Sequence, residues 1–487
     1  MQLRLRNQYR ELVINILLFA VNAIATKLVT FVLVPLYTYY MSAGEYGLTD
    51  MSLTVINLLT PLVTLDVAEA AVRFIVGDRL RGDQYAAVTF GVTLGSVAIV
   101  ALISPCLDFP AFGGLGDYKS WFVATYAASA FMNMCGEIAR GIGKVRIIPV
   151  CAAISSAITL VLAILLIAHA GMGVRGYFIS VIVGPTIATI IYLLFGDIGR
   201  AAVKGAVKMR GIPRNEVISL CVPMLRYALP LIPNSLFWWI STGINRLFIT
   251  SMLGIAASGM FAAASKVPNL LNVAYSIFQQ AWQLSAFRET EKSKEDTARF
   301  FSRIYTVVQA GMSTLCSLLA LLAPQIASIL LQGETWEAWP MIAPLLLANY
   351  FNMLSAFYGT VYTSTMHTSF IMKTTGLGAL SCAVLTPLLI PVAGIYGACV
   401  ASVFGQGAVF LVRAIDSRKY LDFDAGWTCL IPTIALLIVQ MFATMLKPSH
   451  WQLLSFACFI CIASIQGVKA IPMIAPIFKS AKKKGGY

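Results

Sequence analysis

Apolar runs long enough to cross a bilayer follow one another almost without pause along this chain. They fall at 12–40, 46–71, 85–104, 121–138, 147–168, 177–195, 227–252, 256–281, 300–322, 341–362, 369–392, 395–412, 427–445 and 451–471. A helical span needs about 20 residues, and a backbone inside lipid must bond to itself because no water is there to bond it. The expected fold is an all-α integral membrane protein of about 14 transmembrane helices. Composition supports this: 59% of the 487 residues are hydrophobic and 11% charged, against about 25% charged in a soluble chain.

The net charge of +14 does not point to nucleic acid, because the basic residues are spread as short clusters between apolar runs. Clusters occupy the amino terminus, Arg79/Arg81, Arg140/Lys144/Arg146, 200–226, 288–303, 413–419 and 479–484, while the intervening connections are short or acidic. That alternation sets membrane orientation and predicts both termini on the cytoplasmic side of the cytoplasmic membrane. Arg4, Arg6 and Arg10 precede the first run as in a signal peptide, with a small-residue site at Ala23-Ile24-Ala25. The apolar character continues to Tyr40, so a retained helix is expected.

The ten cysteines are scattered singly, so no disulfide framework is expected. Cys458 and Cys461 have CxxC spacing without a second pair or a nearby histidine; neither a metal site nor a cofactor is expected. An internal echo organises the chain: Gly173-Val174-Arg175-Gly176 enters the sixth run and Gly394-Ile395-Tyr396-Gly397 the twelfth. The reading is two pseudo-equivalent six-helix lobes with a cavity between them, an N-lobe at 1–195 and a C-lobe at 227–420. A basic cytoplasmic linker at 196–226 joins them, and 421–487 adds helices 13 and 14 and a basic tail.

Three cations, Lys27, Arg246 and Lys266, lie deep inside these runs, at least six residues from either end. Each costs about 2.5 to 3.5 kcal/mol near mid-bilayer on insertion scales, which calls for a functional reason such as an anionic cargo. Asn269, Asn272, Ser276, Gln279 and Gln283 continue from Lys266 at three- and four-residue steps, as one polar stripe on the eighth helix. The seventh run carries Asn234, Ser235, Trp238, Trp239, Thr242 and Arg246, and the second carries Asp50, Thr54, Asn57, Pro61 and Thr64. Polar stripes of this kind line water or protein rather than lipid. The plainer alternatives are snorkelling or an ion pair with Asp50 for the lysines, an outer-interface position for Arg246 and ordinary packing for the tryptophans. Arg73 reads as a cytoplasmic anchor.

Short motifs carry a family resemblance. Pro35-Leu36-Tyr37-Thr38, Gly44-Glu45-Tyr46-Gly47 and Glu69-Ala70-Ala71-Val72-Arg73-Phe74 open the first lobe. Tyr227-Ala228-Leu229-Pro230-Leu231-Ile232-Pro233, Asn245-Arg246, Gly254 and Gly259 open the second. Together they resemble the polysaccharide and oligosaccharide-lipid flippases of the multidrug/oligosaccharidyl-lipid/polysaccharide exporter superfamily. Where many members carry Asp-Arg, this chain has Asn245-Arg246. The resemblance implies a non-enzymatic carrier that moves polyprenyl-pyrophosphate-linked oligosaccharides by alternating access. Lys27, Arg246, Lys266, Asn269, Trp238 and Trp239 are then the substrate-binding candidates, and Asp50, Asp66 and Glu69 the candidates for coupling to H+ or Na+. Expected partners are the lipid-linked oligosaccharide and membrane lipids, with a polysaccharide polymerase and glycosyltransferases as further candidates.

Two competitors stay open at this stage. A cation-exporting multidrug antiporter should hold net negative charge where this chain sets three cations against Asp50. A membrane glycosyltransferase would use Asp422-Phe423-Asp424 to hold a metal-bound nucleotide sugar, but no nucleotide-binding domain surrounds that loop.

Overall fold

Helix follows helix through the computed structural model, which describes residues 29, 31–289, 293–365, 367 and 369–484. The order is α1 (Phe31–Tyr40), α2 (Ala43–Thr64), α3 (Val67–Gly77), α4 (Gly82–Ile103), α5 (Lys119–Gly141), α6 (Ile147–Ala163), α7 (Gly173–Phe195), α8 (Ile198–Arg210), α9 (Arg214–Ala228) and α10 (Ile232–Leu253). Then come α11 (Ile255–Ala264), α12 (Pro268–Glu289), α13 (Lys294–Leu321), α14 (Ala323–Leu330), α15 (Ile342–Ser364), α16 (Ser369–Ala393), α17 (Ile395–Asp416), α18 (Trp427–Leu446) and α19 (Trp451–Lys484). Among the described residues ten helices are long and apolar enough to cross a membrane, or eleven if the bent pair α2–α3 is one span. The chain is an all-α multi-pass membrane protein.

Two of the expected spans are broken. The second bends by 49° between α2 and α3, where Leu65 and Asp66 both take left-handed backbone angles (φ 55° and 49°). Neither is glycine, so this corner is held against local preference by its surroundings. The eighth expected span, 256–281, is interrupted at 265–267. Pro268 explains the break: it has no N–H to donate and disfavours helical geometry at the residue before it.

The chain divides into two compact units, and the division runs through α10. One extends to Trp239 and takes in Leu253–Gly259; the other comprises Ile240–Met252 and Met260 onward. In the first, α3, α5 and α7 pack around Val67, Ala70, Ala71, Ile75, Met134, Ile138 and Tyr192. The basic stretch 196–226 forms two further helices there, α8 docked on α4 and α9 on α3. Lys144 binds Asp197 at 2.8 Å just before α8, and this hydrogen bond and charge hold the Asp197 carboxyl below its ordinary range. Gly47 on α2 and Gly259 on α11 let two backbones touch, because a Cβ on either would collide with a main-chain oxygen of the other helix.

In the second unit α15 is almost wholly buried, with α12, α13, α16 and α17 among the helices packed on it. Trp282, Phe301, Tyr305, Phe357, Tyr358 and Phe423 form an aromatic cluster there, with ring centroids 4.8 to 6.1 Å apart. Gln440 on α18 donates to the Ser317 carbonyl (3.0 Å) and the Ser455 hydroxyl (2.9 Å), which ties α13, α18 and α19 together.

Arg413 corrects a reading of the sequence. It belongs to the basic cluster 413–419 at the end of a span, yet it is 7% exposed. Its guanidinium donates to Thr374 Oγ1 (2.9 Å), the Ser355 carbonyl (3.1 Å), Thr375 Oγ1 (3.2 Å) and the Ile371 carbonyl (3.4 Å), clasping α15 and α16 to α17. Truncating Arg413 to alanine should cost about 2 to 5 kcal/mol of stability, by analogy with truncation of other long buried side chains. Lysine should recover little of this, because one ammonium cannot reproduce a planar fork. Unfolding midpoints of the purified variants check both outcomes.

Candidate functional site

The candidate residues divide between the two units, and each group is built on its own helices. In the first unit Asp50 is buried on α2, with 7% of its surface exposed. Asp66 stands at the α2–α3 corner, where the Ser235 hydroxyl of α10 donates to its carboxylate at 3.3 Å. Glu69, in the first turn of α3, is exposed. Arg73 stacks on the Tyr227 ring with its guanidinium carbon 4.7 Å from the centroid. Among the described residues neither Asp66 nor Glu69 forms an ion pair with Arg73.

Trp238 and Trp239 belong to one expected polar face, but neighbours on a helix point about 100° apart and the structure separates them. Trp238 is 61% exposed, whereas Trp239 is 5% exposed and its indole N–H donates to the Thr54 carbonyl at 2.8 Å. As a sugar platform Trp239 is therefore corrected to a packing residue that ties α10 to α2. The stripe that does face outward on α10 repeats every fourth residue: Asn234, Trp238 and Thr242 are exposed and Arg246 is half-buried.

In the second unit Arg246 donates to the Thr242 carbonyl at 3.2 Å, and its guanidinium carbon lies 5.8 Å from the centre of the Phe261 ring. Its neighbour Asn245 points elsewhere. Asn245 is 3% exposed; it accepts from the Thr386 hydroxyl (2.7 Å) and donates to Ser402 (2.7 Å), which joins α10 to α16 and α17. Ser241, one turn earlier, accepts from Gln406 at 3.1 Å on the same side. Asn245 is thus an interhelical bridge, its amide serving once as donor and once as acceptor.

Lys266 lies in the break between α11 and α12, half-buried. The expectation of one unbroken stripe from Lys266 to Gln283 is corrected accordingly: the polar row begins on α12, and Lys266 stands ahead of it. Asn269 is exposed at the first turn of α12. Asn272 donates to Asn349 of α15 at 2.9 Å and to Asn269 at 3.4 Å. Asn349 is the residue sequence reasoning missed; as one of two amides, with Asn352, inside the apolar run 341–362 it could have been singled out. Lys27 lies outside the described residues.

The Asp422-Phe423-Asp424 tripeptide is built into the packing of the second unit. Phe423 is 8% exposed within the aromatic cluster, the Asp424 carboxylate accepts from the Gly426 N–H (2.8 Å), and its carbonyl accepts from Ser302 (2.8 Å). Among the described residues no group of three or more His, Cys, Asp or Glu is placed to hold a metal ion.

No curated protein matches the chain in sequence. Solved structures share its fold. An inward-facing multidrug-resistance MATE family transporter of the MOP superfamily aligns with a TM-score of 0.67 at 15% identity, over 82% of this chain and 97% of its own. The lipid II flippase MurJ, in an inward closed conformation, aligns with a TM-score of 0.66 at 13% identity, over 94% of this chain and 100% of its own. A MOP superfamily transporter from Pyrococcus furiosus, whose binding pocket has reverse polarity, aligns with a TM-score of 0.58 at 15% identity, over 83% of this chain and 95% of its own. These likenesses establish the fold of that superfamily. Residues 12–283, more than half of the chain, match the family model described as polysaccharide biosynthesis protein, and the chain belongs to that family.

Proposed function

We propose that this protein is a flippase that carries polyprenyl-pyrophosphate-linked oligosaccharide units across the cytoplasmic membrane by alternating access, for cell-surface polysaccharide synthesis. The observation that carries the reading is the family match over 12–283, a segment that contains every substrate-binding candidate. In this reading Arg246 forks onto the pyrophosphate, which a planar guanidinium binds bidentately. Lys27 and Lys266 add charge, the exposed Trp238 ring stacks on a sugar face, and the Asn269 amide bonds sugar hydroxyls. The polyprenyl tail stays in lipid. Two phosphates against three cations leave the loaded site close to neutral, so closing it over the cargo carries a smaller desolvation cost. The basic loops support an orientation with both termini in the cytoplasm.

The likeness to a MATE transporter gives a second reading, an antiporter of organic cations. It would need an accessible acid in the cargo path, and Asp50 is buried. Proteoliposomes offered either a fluorescent polyprenyl-pyrophosphate oligosaccharide or a fluorescent organic cation separate the two. Movement of the first alone supports the flippase, and Asp50-dependent movement of the second alone overturns it.

Asp66 is the better-placed coupling candidate, because it sits at the strained corner between α2 and α3 and contacts α10 through Ser235. Asp66→Asn should remove the H+ or Na+ dependence of transport, and Glu69→Gln, at an exposed carboxyl, should leave it intact. Transport measured across imposed pH and sodium gradients tests this; an unchanged dependence in Asp66→Asn retires the coupling role.

A further inference from the structure

α8 shows different faces to different surroundings. Ile198, Ala201 and Gly205 are buried, and Gly205 lies so near the Asp83 carbonyl that a Cβ there would collide with it. Lys208 binds the Asp83 carboxylate at 2.8 Å and fastens the docked side further. On the opposite side Val203 and Val207, one turn apart, are 64% and 62% exposed. Arg200, Lys204 and Lys208 recur at four-residue steps along the flank between the two faces, and Arg210 closes the last turn.

Position makes the pattern informative. α7 is a membrane span that ends at Phe195, and α8 begins at Ile198, so α8 is tethered within a few residues of where the chain leaves the bilayer. Its 13 residues make a helix of about 20 Å, too short to cross the hydrocarbon core of about 30 Å. Docking on α4 prevents it from swinging away. A short helix held at this level, with an exposed valine strip beside a row of cations, has the pattern of a helix lying in the membrane interface.

We propose that α8 is a binding surface for anionic phospholipid. Val203 and Val207 enter the boundary of the acyl region, and Arg200 and Lys204 hold headgroup phosphates. Lys204 is the central cation; among the described residues it makes no ion pair, while Asp197 lies 3.6 Å from Arg200 and Asp83 takes Lys208. The charge complementarity is with an anionic surface, and the valine strip distinguishes that surface from a soluble anion.

The test is hydrogen exchange of residues 198–210 in the full-length protein, in nanodiscs of phosphatidylcholine alone or with added phosphatidylglycerol. Exchange should slow when phosphatidylglycerol is present. Arg200→Gln and Lys204→Gln should each weaken that protection by about fivefold, and the double variant should abolish it. Both residues are exposed or partly so, and Lys208, which braces Asp83, is left in place. Three results overturn the proposal: equal exchange in both lipids, phosphatidylglycerol protection that survives in the double variant, and protection that follows the number of protein copies per disc rather than lipid charge. The readout does not depend on transport, so it stands or falls separately from the flippase reading.

Discussion

Replacing Arg246 with alanine should reduce translocation of a polyprenyl-pyrophosphate oligosaccharide in proteoliposomes by about tenfold to a hundredfold, the loss expected when a hydrogen-bonded charge partner of the cargo is removed. The expectation rests on where the residue stands. Arg246 is the half-buried last member of the outward-facing row Asn234, Trp238, Thr242, and its guanidinium is poised against the Thr242 carbonyl and the Phe261 ring. Asn245 and Ser241 carry the bonds from α10 to α16 and α17, so the variant should still fold, and matched unfolding midpoints would confirm that it does. Arg246→Lys should restore part of the activity, because charge survives but the two-pronged grip does not. Lys266→Ala and Lys27→Ala should each lose less, since an ammonium acts as a point charge. Full translocation by a folded Arg246→Ala protein would leave the cation as a structural charge and favour the antiporter reading instead.

Much of the architecture was legible because a bilayer imposes one requirement on every span, and apolar length reveals it directly. The breaks were legible to different degrees. Pro268 announces the interruption at 265–267, whereas Leu65-Asp66 gives only a weak signal of a left-handed corner, since aspartate tolerates that geometry but leucine does not. Burial was harder to read at span ends. Arg413 sits in the basic cluster 413–419 and looks like a topology signal, and only the packing of α15, α16 and α17 shows that it is enclosed. Within the candidate site, spacing predicted the outward row on α10 but could not tell which of two adjacent tryptophans faces outward. That choice depends on the Thr54 carbonyl of a helix nearly two hundred residues earlier in the chain.

Alanine at Gly259 should destabilise the protein, although alanine in place of glycine within a helix normally helps by about 1 kcal/mol. The sign reverses because of what the new methyl group meets. At Gly259 the added Cβ runs into the Ala43 carbonyl oxygen, with the Gly47 nitrogen 2.9 Å away. At Gly47 it runs into the Ile255 carbonyl oxygen, with the Gly259 nitrogen 3.0 Å away. These neighbours are main-chain atoms, so no side chain can rotate aside and the two helices must separate. Overpacking costs about 1 to 3 kcal/mol even where side chains can adjust, and the upper end of that range should apply here. Gly47→Ala and Gly259→Ala offend the same contact, so the double variant should lose less than the two single losses added together. Gly95→Ala on α4 is the control, because nothing lies within 4 Å of its added Cβ; it should match or exceed the wild type. Melting of the three single variants and the double variant in detergent decides the matter, and a Gly259→Ala protein as stable as Gly95→Ala would mean that α2 and α11 do not approach backbone to backbone.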